Sequence, residues 1–126
     1  MENEMDGKKK WFFPDGDRPP FGDSELIGHE SYIVLNPNKQ AAHLSVTLYF
    51  EDKEPFHSIQ MTVAAERVKC FQTHNPDHFG VHVIPVGKQY AMKIESDVPV
   101  IVQYGRLDTR QVNLAYYTTM GYSGDS

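Results

Sequence analysis

The clearest periodicity in the chain runs from His43 to Phe50, where Leu44, Val46, Leu48 and Phe50 alternate with His43, Ser45, Thr47 and Tyr49. Successive side chains on a strand point to opposite faces, so this pattern predicts a strand with one face buried. Shorter runs of the same kind occupy Ser31 to Leu35, His57 to Ala64 with Ile59, Met61 and Val63 in phase, and Arg67 to Gln72. Two more follow at Gln89 to Glu95 and Val98 to Tyr104. Turn sequences separate them: Asn36-Pro37-Asn38, Glu51-Asp52-Lys53-Glu54-Pro55, Asn75-Pro76-Asp77 and Ser96-Asp97-Val98-Pro99. No stretch of about eleven residues keeps an apolar helical stripe free of proline, glycine or β-branched runs. Short strands spaced by turns roughly every eight to twelve residues predict one all-β domain, an antiparallel β-sandwich or barrel.

Two segments are less regular. Val98-Pro99-Val100-Ile101-Val102 is nearly continuous in apolar residues. This predicts burial on both faces, by the second sheet on one side and a neighbouring subunit on the other, with Pro99 at the strand's start where no ladder donor is lost. Val112 to Tyr122 fits a strand through Val112, Leu114, Tyr116 and Thr118 and a helix through Ala115 and Thr119; a final strand is favoured. Residues 1–9 and 123–126 are expected as disordered tails around a domain spanning 10–122.

At 126 residues the chain is long enough to bury a core without disulfide or metal, and Cys70, the single cysteine, has no partner for an internal bridge. No N-terminal apolar run resembles a signal peptide or a membrane span, so the expected location is cytoplasmic. A net charge of −5 disfavours nucleic acid as a partner unless the basic residues gather on one face.

Three constellations could carry chemistry. His74, His78 and His82 are spaced by four, as metal ligands on one helix face would be, but Asn75-Pro76-Asp77 and Phe79-Gly80 interrupt that helix, so solvated loop histidines are expected and no metal or cofactor is assigned. His29-Glu30 is a base-carboxylate pair, yet neighbours on a strand point to opposite faces, and no nucleophile elbow, Gly-rich phosphate loop or paired-cysteine motif accompanies it. The densest polar segment is Gln103 to Gln111, where Arg106 and Arg110 flank Asp108. Two arginines can fork a carboxylate, a phosphate or sugar hydroxyls, or can equally pair with Asp108 or Glu30 to lock a loop or a subunit contact. Trp11, the single tryptophan, either closes a sandwich end or stacks on a sugar ring. A carbohydrate-active enzyme would need two carboxylates, with Glu30 and Asp108 as the candidates.

Together these motifs resemble a known family. His29-Glu30 followed by Ile33-Val34-Leu35-Asn36, the Tyr49 to Pro55 run, Thr62-Val63-Ala64-Ala65-Glu66-Arg67, and above all Ser96 to Gln103 continuing to Arg106-Leu107-Asp108-Thr109-Arg110-Gln111 resemble the sensory rhodopsin transducer family from about Trp11 to Tyr122. The resemblance implies a β-sandwich assembling as a homotetramer, a cytoplasmic location, no catalytic activity, and a small-molecule, sugar-like ligand. In the namesake branch it implies docking on a membrane rhodopsin. The positions matching the pattern are Trp11, His29, Glu30, Asn36, Arg67, Gln103, Arg106, Asp108 and Arg110. The chain departs from the pattern between Thr73 and Gly87, and Ala64-Ala65 stands where a proline-containing turn is usual.

Overall fold

The alternating run around Leu44 to Leu48 forms a strand, and its apolar phase faces the core: Leu44, Val46 and Leu48 are buried while His43 is exposed. The computed structural model describes residues 5–22, 27–80, 84–109 and 115–124. In chain order its elements are β1 (Lys8–Asp17), β2 (His29–Asn36), β3 (Ala42–Phe50), β4 (Phe56–Val63), β5 (Arg67–Gln72), α1 (Pro76–Phe79), β6 (Gln89–Asp108), β7 (Ala115–Met120) and β8 (Tyr122–Ser123). β1 thus begins inside the segment expected as an N-terminal tail. The final strand favoured by the sequence is present as β7 and β8, while residues 112–114 lie outside the described residues.

The architecture is an all-β antiparallel sandwich organised by β6. The first half of this strand, Gln89 to Ser96, pairs with β3 on one side and β1 on the other; β4 extends the sheet beyond β3, and β8 extends it beyond β1. Its second half, Ile101 to Asp108, pairs with β2 and β7, and β5 closes the far edge of β2. The sheets therefore share one strand, and the core fills the space between them with Trp11, Phe13, Tyr32, Val34, Val46, Met92, Ile94, Val100 and Val102.

This corrects the expectation of two separate strands with Pro99 at the start of the second. Pro99 lies in the middle of a 20-residue strand. It is tolerated because pairing with β3 ends at Ser96 and pairing with β2 begins at Leu35 opposite Ile101, so the missing N–H falls where both ladders break. The β1 ladder also shifts register here, between Lys8 opposite Val100 and Lys10 opposite Glu95. Within the chain the apolar run buries one face: Val98, Val100 and Val102 point inward, Ile101 is half-buried and Gln103 is exposed. The Asn75-Pro76-Asp77 turn is a single helical turn, in which Asn75 Oδ1 accepts the Asp77 N–H at 2.8 Å and proline occupies the first position, where no N–H is needed. Among the described residues no helix is long and apolar enough to cross a membrane.

Candidate functional site

The phase of β2 places a carboxylate in the core. Tyr32, Val34 and Asn36 point inward, and Glu30, two residues before Tyr32, shares their face and is fully buried. A buried carboxylate is tolerated only when its acceptor sites are filled. Glu30 Oε1 accepts hydrogen bonds from Thr73 Oγ1 and Tyr90 Oη, each at 2.9 Å. Oε2 accepts from the Asp17 N–H at 3.0 Å, from Tyr90 Oη at 2.9 Å and from Tyr104 Oη at 2.5 Å. Because Tyr90 spends its proton on Glu30, the 3.0 Å contact between Tyr32 and Tyr90 hydroxyls is donated by Tyr32. Burial first, and then neighbouring charges that include Glu30, push the phenols of Tyr32, Tyr90 and Tyr104 well above their ordinary range, so all three stay protonated donors.

Backbone detail makes this hub possible. Tyr90 reaches Glu30 by laying its ring over Gly16, where a β-carbon would sit 2.3 Å from Tyr90 Cζ. Immediately before Gly16, β1 carries a bulge. Phe13 faces Met92 and Gly16 faces Tyr90, so one extra residue is accommodated at Pro14-Asp15. Proline costs the ladder nothing at a bulge, and Asp15 is turned to the rim of a cleft.

That cleft, about 250 Å³, opens between the two sheets and is lined by Phe13, Pro14 and Asp15 from β1, Tyr104 from β6, Tyr117, Thr119 and Met120 from β7, and Gly121 and Tyr122 beyond. The register explains its inner wall. Glu30, Arg106 and Tyr117 lie opposite one another across β2, β6 and β7, and Tyr32, Tyr104 and Thr119 form the next row on the same face. The Arg106 guanidinium carbon stands 5.1 Å from the Tyr117 ring centroid and 5.9 Å from that of Tyr104, and Nη1 donates to the Asp17 carbonyl at 3.4 Å. The Tyr104 hydroxyl is held on Glu30, so this wall is fixed from behind. A second, almost wholly apolar hollow of about 270 Å³, lined by Phe12, Tyr49, Ala91 and Met92, shares Phe13, Pro14 and Tyr122 with the cleft. Aromatic faces beside a carboxylate, a hydroxyl and a guanidinium can stack on the apolar side of a small ring and hydrogen-bond its edge.

The residues singled out from the sequence fall into separate places. Glu30 and Arg106 meet at the hub, and His29 and the half-buried Asp108 lie at the same end, with Asp108 opposite Ala115. Asn36 lies six residues along β2 from Glu30, about 20 Å away, and is fully buried. Its Nδ2 donates to the Gln40, Val63 and Ala64 carbonyls and its Oδ1 accepts from Asn38, which makes it a turn organiser. Arg67 is exposed opposite Asn36 and donates to the Ala65 and Glu66 carbonyls. Trp11 is core: its Nε1 donates to the Lys8 and Val100 carbonyls at 3.1 and 3.0 Å. Gln103 is exposed and stands opposite Ile33 and Met120. Arg110 and His82 lie outside the described residues.

His78 uses Nδ1 to accept the Gln72 N–H at 2.9 Å, and among the described residues no group of three or more His, Cys, Asp or Glu is placed to hold a metal. Tyr32, Tyr90, Tyr117, Thr73, Asp15 and Gly16 were not singled out from the sequence, and Tyr104 entered only as part of the Gln103 to Gln111 segment. One signal was available: Glu30 sits in the inward phase of its strand, which demands buried donors from elsewhere.

Fold and site define the class: a small β-sandwich whose two sheets share one bent strand, with an aromatic intersheet cleft backed by a buried carboxylate–tyrosine hub. The chain belongs to the Anabaena sensory rhodopsin transducer family, whose model matches residues 6–123. Several solved structures are similar, among them two that match over most of both chains. The crystal structure of Thermotoga maritima 1070 is 32% identical, with 96% of this chain and 98% of that one covered and a TM-score of 0.84. The Anabaena sensory rhodopsin transducer is 34% identical, with 86% and 97% covered and a TM-score of 0.70. No curated protein matches the chain.

Proposed function

We propose that the chain is a non-catalytic, cytoplasmic signalling protein that binds a small sugar or sugar acid in the intersheet cleft. The observation that carries this reading is the cleft's composition, with Tyr117 and Tyr122 as stacking surfaces over a floor that includes Phe13, and Asp15 and Thr119 as hydrogen-bonding groups. Arg106, seated against the lining residue Tyr117, adds positive charge close to the cleft that favours an acidic substituent. Glu30 is enclosed by its own donors, so it does not form one wall of an open groove as a glycosidase carboxylate must. The protein works as a homotetramer; the exposed apolar side chains Leu35, Val68, Tyr116 and Met120 support self-association. Docking on a membrane rhodopsin is the second reading, favoured by the 34% identity to the Anabaena sensory rhodopsin transducer.

The test is a thermal-stability screen of sugars and sugar acids. A ligand present at about 100 times its Kd stabilises by about 2.7 kcal/mol, a shift of several degrees. A screen that moves nothing sinks the binding reading, and a light-scattering mass of one chain sinks the tetramer. Failure to co-purify with a co-expressed rhodopsin would remove the second reading.

A further inference from the structure

Glu30 joins the cleft to a second cluster. Tyr104 on Oε2 lines the cleft, whereas Thr73 on Oε1 leads directly into His74. Around His74 gather side chains from three parts of the chain. Phe21 meets the His74 ring edge-on at 5.5 Å, and the Arg18 guanidinium carbon lies 6.0 Å from the centroid of the same phenyl ring. The His29 ring, at the start of β2, is 6.3 Å from that of His74. Arg18 Nη1 donates to the Ile84 carbonyl at 2.9 Å, and His29 Nδ1 contacts the Ile27 carbonyl at 2.7 Å.

Two atoms in this cluster are left over. Arg18 Nε and His74 Nδ1 are both buried, and neither has a hydrogen-bond partner among the described residues. Buried polar atoms in native proteins are almost always satisfied, and an exception calls for an explanation such as a bound ion or water. An arginine N–H can only donate, and an imidazole nitrogen donates when it carries the proton. With the proton on Nδ1, His74 presents a donor beside that of Arg18, and one group rich in acceptors satisfies both. Burial first, and then the Arg18 guanidinium and the His29 imidazole, push the His74 pKa down, so this corner is electropositive in a chain that is acidic overall.

We propose that Arg18, His29 and His74 form a binding site for a small oxyanion, a carboxylate or a phosphate, distinct from the intersheet cleft. The anion's oxygens take the Arg18 Nε–H and a proton on His74 Nδ1, and Phe21 covers the site from the solvent side with about half of its surface exposed, at 48%. An anion seated there offsets the burial and the Arg18 charge that now disfavour protonation of His74.

The experiment titrates the full chain with inorganic phosphate and, separately, with acetate, and follows the imidazole resonances of each histidine by NMR. Saturable shifts confined to His29, His74 and their neighbours are expected, with the His74 pKa rising on saturation. Arg18→Gln and His74→Gln should each weaken binding tenfold or more, Arg18→Lys should recover part of the loss, and His43→Gln, on the exposed face of β3, should change nothing. Saturation by one anion and not the other supports the site and names its class. Tyr117→Ala in the cleft should leave anion binding intact, which separates this site from the cleft reading. Shifts that fail to saturate with both anions, that appear equally at His43, or that survive both Arg18→Gln and His74→Gln would overturn the proposal.

Discussion

Replacing Glu30 probes the hub that fixes the inner wall of the cleft. In Glu30→Ala the Asp17 N–H and the hydroxyls of Thr73, Tyr90 and Tyr104 lose their acceptor at a fully buried position. Each unsatisfied buried donor costs about 1–3 kcal/mol, and hydroxyls that turn toward one another recover part of it, so a net loss of about 5 kcal/mol is expected. For a domain of this size that lowers Tm by roughly 15–30 °C and takes up much of the typical stability of a small domain. Glu30→Gln is the informative contrast. Its carbonyl can stay on the Asp17 N–H and Tyr104 while its amide donates to the Thr73 and Tyr90 oxygens, which can rotate to accept. The loss then reduces to exchanging charge-assisted bonds for neutral ones, about 1–2 kcal/mol. Urea denaturation followed by the fluorescence of Trp11 measures both. A Glu30→Ala variant within about 1 kcal/mol of the parent would refute the hub. So would a Glu30→Gln variant as damaged as Glu30→Ala, because the geometry gives the amide a partner for every bond.

Gly16→Ala is expected to cost about 2–3 kcal/mol in the same assay, because its methyl group would sit 2.3 Å from Tyr90 Cζ and push that hydroxyl off Glu30. Trp11→Phe leaves the Lys8 and Val100 carbonyls without the indole donor and should lose about 2 kcal/mol in urea denaturation followed by far-UV circular dichroism. His74 titrates below the ordinary imidazole value in the folded chain, so the unfolded chain binds more protons between the two values. Its contribution is therefore complete above the ordinary value and is lost as pH falls toward the folded one; denaturation midpoints across that window should fall less steeply in His74→Gln than in the parent.

Much of the architecture was legible because one-sided burial writes a period of two into the chain. Ala42 to Phe50 and Phe56 to Val63 lie across from each other with their apolar phases matched, Leu44 opposite Met61 and Val46 opposite Ile59. The passage of β6 from one sheet to the other was not legible, because a proline inside an apolar run reads as a strand start, and only the position of the ladder gaps shows that its missing N–H goes unused. The hub was half visible. Glu30 stood out as a carboxylate, but its donors come from residues 17, 73, 90 and 104, and it is the register of β2 against β6, with a glycine under Tyr90, that brings them together. Asn36 and Arg67 stood out equally, and the length of β2 separates them from that hub.

The central claim, a small-molecule site in the intersheet cleft, is tested most directly by isothermal titration of the best stabilising sugar or sugar acid into the parent, Tyr117→Ala and Asp15→Asn. Tyr117 is exposed on β7 and Asp15 on β1, so neither substitution should disturb folding by more than about 0.5 kcal/mol. The account predicts one saturable site per chain, weakened about tenfold or more in each variant, by loss of a stacking face in the first and of a hydrogen-bonding carboxylate in the second. Affinity unchanged in both variants would place the ligand elsewhere and contradict the claim.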